Sequence, residues 1–200
     1  LLAEHEARTP WRLRIDIPDV PGGMARLLRV LSMLHVHLVG SWVLGNDDGA
    51  RTVDLALTVP DAISSESLLA AAMSVGSNVY VTRGAEDDAV DLPTRVLDMS
   101  SELVTNPGSA ALMAARLVEA DQFEVSAAAE GEDDSAEVLR LQWTPDQHVV
   151  LHRRWAPFAR AEKTRASALL RLAAAISSAE GDADALGWVG MAIIGVCGAM

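Results

Sequence analysis

Between residues 16 and 23 the chain reads Asp16-Ile-Pro-Asp-Val-Pro-Gly-Gly23, immediately before an amphipathic helical pattern. Asp19, Pro21 and two glycines bring backbone N–H groups, bare of bulky side chains, to the start of a helix. The partial positive charge there suits a small anion such as a carboxylate. No other stretch has residue types and spacing that point so directly to ligand chemistry. Catalytic patterns were sought and are absent from the sequence: it holds no Gly-x-Ser-x-Gly elbow, no Gly-x-x-x-x-Gly-Lys phosphate loop and no Cys or His ligand cluster. His35 and His37 straddle a helix-to-strand junction, but no Cys or acidic partner stands at metal-ligand spacing. The expectation is therefore a protein that is not an enzyme and needs no cofactor.

The elements that must position the loop follow from periodicity. Trp11 to Ile17 alternates apolar with polar residues, so one face of a strand is buried and the other is wet or covered by a partner. Met24, Leu27, Leu28, Leu31 and Leu34 then fall on one side of a helix, with Arg26 and Arg29 on the other. Pro21 suits the first turn, and Asp19 suits a helix N-cap as well as a ligand contact. His37 to Leu44 and Arg51 to Val59 read as strands joined by Asn46-Asp-Asp-Gly49, whose residues tolerate positive φ. Ser64 to Val75 reads as a second helix ended by Gly76, and Ser77 to Arg83 as a fourth strand. A βαββαβ order folds as an antiparallel sheet with both helices on one face, the ferredoxin-like arrangement. Such a unit leaves one sheet face and an edge uncovered, so pairing is expected.

Composition narrows the partners. The chain has 200 residues, half of them hydrophobic, and a formal net charge of −12. Residues 1–85 hold 7 Lys+Arg against 9 Asp+Glu, whereas 86–200 hold 9 against 19, which concentrates the acidity in the second half. An acidic protein of this kind disfavours nucleic acid and anionic membrane. The single cysteine, Cys197, rules out an internal disulfide and fits a reducing cytoplasm. No N-terminal signal pattern is seen, and the start at Leu1 reads as a trimmed or alternatively initiated chain. Fifteen of the 16 basic residues are Arg and Ala is abundant, a bacterial, GC-rich bias.

The acidic stretch 85–92, with Glu86-Asp-Asp88 and Asp91, reads as a linker between residues 11–84 and a second unit at 93–179. In that unit Pro93 to Thr105 and Ala110 to Ala120 are helical, and Phe123 to Ala127, Glu137 to Trp143 and His148 to Trp155 are short strands. A last helix spans about 160 to 177. His152-Arg-Arg-Trp155 with Arg160, Lys163, Arg165 and Arg171 gathers positive charge, read as a solvated helix face in preference to a nucleic-acid patch. Residues 180–200 form an apolar, Gly-rich tail, short for a membrane span, whose expected role is docking onto the protein or a partner.

The Asp19-Val-Pro-Gly-Gly23 loop within its βαββαβ frame resembles the ACT domain, a family of small-molecule sensors associated with amino-acid metabolism. The resemblance covers residues 11–83 and implies a homodimer whose amino-acid effector lies between the first loop of one copy and the second strand of the other. It assigns Asp19, Val20, Pro21, Gly22, Gly23 and Met24 to one side of the site and His37 to the other. Ile17 stands where serine-binding members carry a polar side chain, which favours a branched-chain or aromatic ligand. His35 replaces the glycine that ordinarily ends the first helix. Trp155-Ala-Pro-Phe158, Glu162 and Ala168 to Ala173 are similar to the closing strand and last helix of a shortened GAF domain. The fold class expected is thus α+β: a ferredoxin-like ACT domain followed by a small GAF-like unit with a three-stranded antiparallel sheet and flanking helices. The protein would be a cytoplasmic regulator that signals to its C-terminal unit or a partner enzyme. The alternative is a constitutive interaction module without a ligand, its Pro-Gly-Gly turn simply ending a strand and starting a helix.

Overall fold

The computed structural model describes residues 7–47, 49–84, 92–127, 135 and 137–197. Two compact units are present: residues 1–94 together with Arg153–Glu162, and Arg95–His152 together with 163–200. Of the expected linker 85–92, residues 85–91 lie outside the described residues and Leu92 already begins a helix; the acidic turn 130–134 also lies outside them.

The first unit runs β1 (Arg8–Pro18), α1 (Gly23–Met33), β2 (His37–Asp47), β3 (Ala50–Pro60), α2 (Ser65–Met73) and β4 (Ser77–Arg83). Its sheet has the order β2-β3-β1-β4 with every neighbouring pair antiparallel, so the expected ferredoxin-like arrangement is present. Alternation in β1 sends Trp11, Leu13, Ile15 and Ile17 into one core with Val53, Leu55, Leu57 and Val59 of β3. Leu27 and Leu31 of α1 and Leu68 and Ala72 of α2 close that core from the helix side. Each fully buried aliphatic side chain contributes about 1.5–3 kcal/mol relative to exposure, which fixes the register of the strands that carry it. At the start of α2 the Ser64 hydroxyl accepts from the Ser67 amide at 3.2 Å, an ordinary N-cap.

Two helix ends differ from expectation. Asp19 does not cap α1; the N-cap is Gly22, in the left-handed region at φ 83°, with no side-chain hydrogen bond. At the other end His35 adopts φ 55°, while the Val36 amide donates to the Leu31 carbonyl and the His35 amide to that of Ser32. These bonds make a Schellman ending with a histidine in the place that favours glycine.

The second unit contains α3 (Leu92–Thr105), a short 3-10 turn at Pro107–Ser109, α4 (Ala110–Leu117), and strands β5 (Gln122–Ser126), β6 (Val138–Thr144) and β7 (Gln147–His152). Its antiparallel sheet has the order β5-β7-β6. Val149, Val150 and Leu151 of β7 and nearly all of α4 are buried. β7 ends at His152 rather than at Trp155, and residues 153–159 are irregular. Helix α5 spans Arg160–Cys197 and so continues well past the expected end near 177. Residues 186–197 of the expected tail are therefore helical backbone, while the side chains that would test its docking role lie outside those described. Among the described residues no helix is long and apolar enough to cross a membrane.

Candidate functional site

The loop after β1 is held from two sides. The Asp19 amide donates to the Gly49 carbonyl at 2.8 Å, and the Asp19 carboxylate pairs with Arg51 and accepts from Asn46 Nδ2 at 2.7 Å. Both carboxylate oxygens are thus engaged by the β2–β3 hairpin. Gly22 meets the need for a positive φ, and a Cβ on Gly23 would stand 2.6 Å from the Pro18 carbonyl oxygen. The two glycines therefore have backbone reasons independent of any ligand. Val20, Pro21 and Gly22 are exposed, Gly23 is buried, and Met24 packs at the margin of the core.

His37 is exposed at the first position of β2, in register with Thr58, which in turn pairs with Pro10. The loop lies at the other end of the sheet, where Asp47 pairs with Ala50 and Ala50 with Pro18. The eight-residue offset along β1 from Pro10 to Pro18 separates those ends by roughly 26 Å at about 3.3 Å per residue. One chain therefore does not bring His37 to its own loop.

Of the two alternatives that the alternation of β1 leaves for its polar face, wet or covered, the face is covered, and by the chain itself. Arg14 is 3% exposed and Asp54 fully buried, both covered by the segment Arg153–Glu162. Arg14 Nη1 and Nη2 donate to Glu162 at 3.1 and 2.9 Å, and Arg153 Nη1 and Nη2 donate to the same carboxylate at 2.8 and 2.9 Å. Glu162 so receives a guanidinium fork from each side and also accepts from the Ala159 amide at 2.8 Å. Arg14 Nη2 further donates to Asp54 Oδ2 at 2.8 Å, and Arg12 donates to both Asp54 oxygens at 3.0 and 2.8 Å. Trp155 lies against the guanidinium groups of Arg12, Arg14 and Arg153, with 5.4, 4.7 and 5.2 Å to its ring centroid.

Burial by itself would raise the Glu162 pKa. The hydrogen bonds from Arg153, with the charges of Arg14 and Arg153, outweigh it and hold the carboxyl at about 2. Burial pulls the Arg153 guanidinium below its ordinary value, whereas Glu162 and Asp54 carry Arg14 above its own despite burial. The sequence reading missed this cluster. The run from His152 to Trp155 predicts a solvated basic face, yet Arg153 is fully buried, and Trp155, Phe158 and Glu162 belong to the first unit instead of closing a GAF-like one. The available signal was Asp54, a lone acid between Val53 and Leu55 in an apolar strand.

Comparison with known proteins adds little. No protein-family model and no curated protein matches the chain. Among solved structures, the regulatory subunit of aspartate kinase from Thermus flavus is similar at 14% identity and a TM-score of 0.32, over 85% of this chain and 94% of that one. The C-terminal domain of MgtC from Mycobacterium tuberculosis is similar at 18% identity and a TM-score of 0.34, over 42% of this chain and 96% of that one. A formyltetrahydrofolate deformylase from Pseudomonas putida is similar at 16% identity and a TM-score of 0.32, over 38% of this chain; the match spans 29% of the deformylase. Likenesses of this size assign no family.

Proposed function

We propose that the first unit is a non-catalytic regulatory module of a cytoplasmic protein, which pairs with a second copy through β2 and holds a small amino-acid-like effector at the junction. The observation that carries this reading is the β2 edge. Among the described residues β2 pairs on one side only, with β3, and leaves Leu38, Val39 and Val43 between 44 and 53% exposed. From His37 to Asn46 it carries no Lys, Arg or Pro, the residues that ordinarily blunt a free edge. Bulges between Leu38 and Gly40 and between Val43 and Gly45 leave a regular stretch near Trp42.

Antiparallel pairing of two β2 strands about Trp42 brings His37 of a second copy to the loop end of the first. That arrangement supplies what one chain lacks: Asp19, Val20, Pro21, Gly22, Gly23 and Met24 on one side and His37 on the other. The start of α1, free of a side-chain cap, then offers N–H groups to a carboxylate. An effector shifts pairing only by the difference between its affinities for the paired and unpaired states. The reading is tested by thermal-shift screening of the full chain against the twenty amino acids, with Gly22→Asp and Gly22→Asn compared. Both side chains tolerate the left-handed backbone, so only the aspartate's charge should abolish a carboxylate-dependent stabilisation. An empty screen with an intact dimer removes the effector and leaves a constitutive interaction module. The engaged oxygens of Asp19 and the backbone roles of Gly22 and Gly23 favour that second reading.

A further inference from the structure

Trp42 stands near the middle of β2, and its indole does not enter the core. It is in register with Asp54, between the core residues Val53 and Leu55, so it lies on the sheet face away from the helices, where it is half-buried. A Cβ on Gly40 would stand 2.8 Å from Trp42 Cη2 and 3.0 Å from Cζ2. The ring therefore lies back along its own strand over Gly40, two residues away on the same face. Gly40 is outside the left-handed region, so the ring and not the backbone calls for glycine here.

The sequence of the edge around this pair is complementary to itself. A two-fold axis through Trp42 sets Ser41 opposite Val43 of a second copy, Gly40 opposite its Leu44 and Val39 opposite its Gly45, in each case a small residue against a larger one. Moving the axis to Ser41 sets Val43 against Val39 and Leu44 against Leu38; moving it to Val43 sets Trp42 against Leu44 and Ser41 against Gly45. Both shifts put bulk against bulk, which close-packed contacts disfavour.

We propose that Trp42, seated on Gly40, selects a second copy of this chain as the partner of β2 and fixes the register at an axis through Trp42. The two tryptophans then stand across the axis from one another, and each indole, lying over its own Gly40, meets Leu44 of the other copy. The inference rests on the β2 pairing proposed above and names the residues that decide its partner and its register.

The test is oxidative cross-linking of the full chain with Cys197 replaced by Ser, carrying either Ser41→Cys or Val43→Cys, alone and as a mixture of the two. Directly opposite residues have Cα atoms about 4.5–5.5 Å apart, within disulfide reach, whereas diagonal neighbours at about 7–8 Å are beyond it. The mixture should give a disulfide-linked dimer and neither variant alone should. In sedimentation velocity, Gly40→Val, which displaces the indole, should weaken pairing at least about tenfold. Trp42→Ala, which removes the ring without a clash, should do the same and decides the matter if Gly40→Val fails to fold. A dimer in which Ser41→Cys or Val43→Cys links by itself overturns the register and leaves the β2 pairing standing. A dimer that the mixture does not link, or a monomeric parent, overturns the pairing and this inference together. A Trp42→Ala dimer as tight as the parent overturns the role of the tryptophan alone.

Discussion

Replacing Glu162 by Gln removes one charge from a buried carboxylate while keeping its shape. Two guanidinium groups then lose their shared counter-ion, although Arg14 keeps Asp54 and Arg153 keeps the carbonyls of Ala156 and Pro157. Breaking a buried pair from one side costs about 3–5 kcal/mol. The remaining acceptors place the expected loss near about 3 kcal/mol. The pH dependence gives a second route to the same figure. A carboxyl held at about 2 instead of 4.5 corresponds to roughly 3 kcal/mol, at about 1.4 kcal/mol per pH unit. Because the folded pKa is depressed, this stability is fully present above pH 4.5 and is lost as pH falls toward 2. Urea denaturation of parent and Glu162→Gln, followed by tryptophan fluorescence at a series of pH values, should show a gap that is widest near neutrality and closes in acid. Replacing Glu162 and Arg153 together, Glu162→Leu with Arg153→Met, should recover part of the loss, because the Arg153 charge leaves with its counter-ion while Arg14 still shares Asp54 with Arg12. A gap below about 1 kcal/mol at pH 7, or one that does not narrow in acid, refutes the account of Glu162 as a buried, doubly forked carboxylate.

His35→Gly should stabilise the first unit by about 1 kcal/mol in the same assay, because His35 holds a left-handed backbone that glycine adopts without strain. Gly76→Ala should destabilise it by about 1–3 kcal/mol, since a Cβ there meets the Asp16 carbonyl oxygen and stands 2.7 Å from Ile15 Cδ1. A melting temperature unchanged by Gly76→Ala would show that the neighbouring strand yields more readily than this contact implies.

Much of the first unit was legible because its signals are local. The alternation of Trp11 to Ile17, the apolar stripe of α1 and the Asn46–Gly49 hairpin each act over a few residues, and the structure places strands and helices where they predict. Alternation left the sheet's polar face either wet or covered by a partner, and the segment that covers it was not legible. Arg14 and Asp54 alternate as solvent-facing residues should, and their burial depends on Pro157 and Glu162, 143 and 148 positions beyond Arg14. Arg153 was misplaced for a related reason: a cationic run looks the same in sequence whether it meets water or a buried acid. His35 shows the converse, since its departure from glycine was visible while the Schellman bonds that hold it in place were not. In the loop, the glycines were correctly marked as special, but the reasons the structure supplies are a backbone angle and a close carbonyl.

The most direct test of the central claim is sedimentation velocity of the full chain, alone and with the amino acid that gives the largest thermal shift, beside the variant Val43→Glu. Val43 is half exposed on the β2 edge, so a charge there should disfavour pairing with little effect on the folded unit. The full chain should sediment as a dimer at micromolar concentration, in a population that moves with the effector, and Val43→Glu should sediment as a monomer. A monomeric parent, or a dimer that Val43→Glu leaves intact, contradicts it.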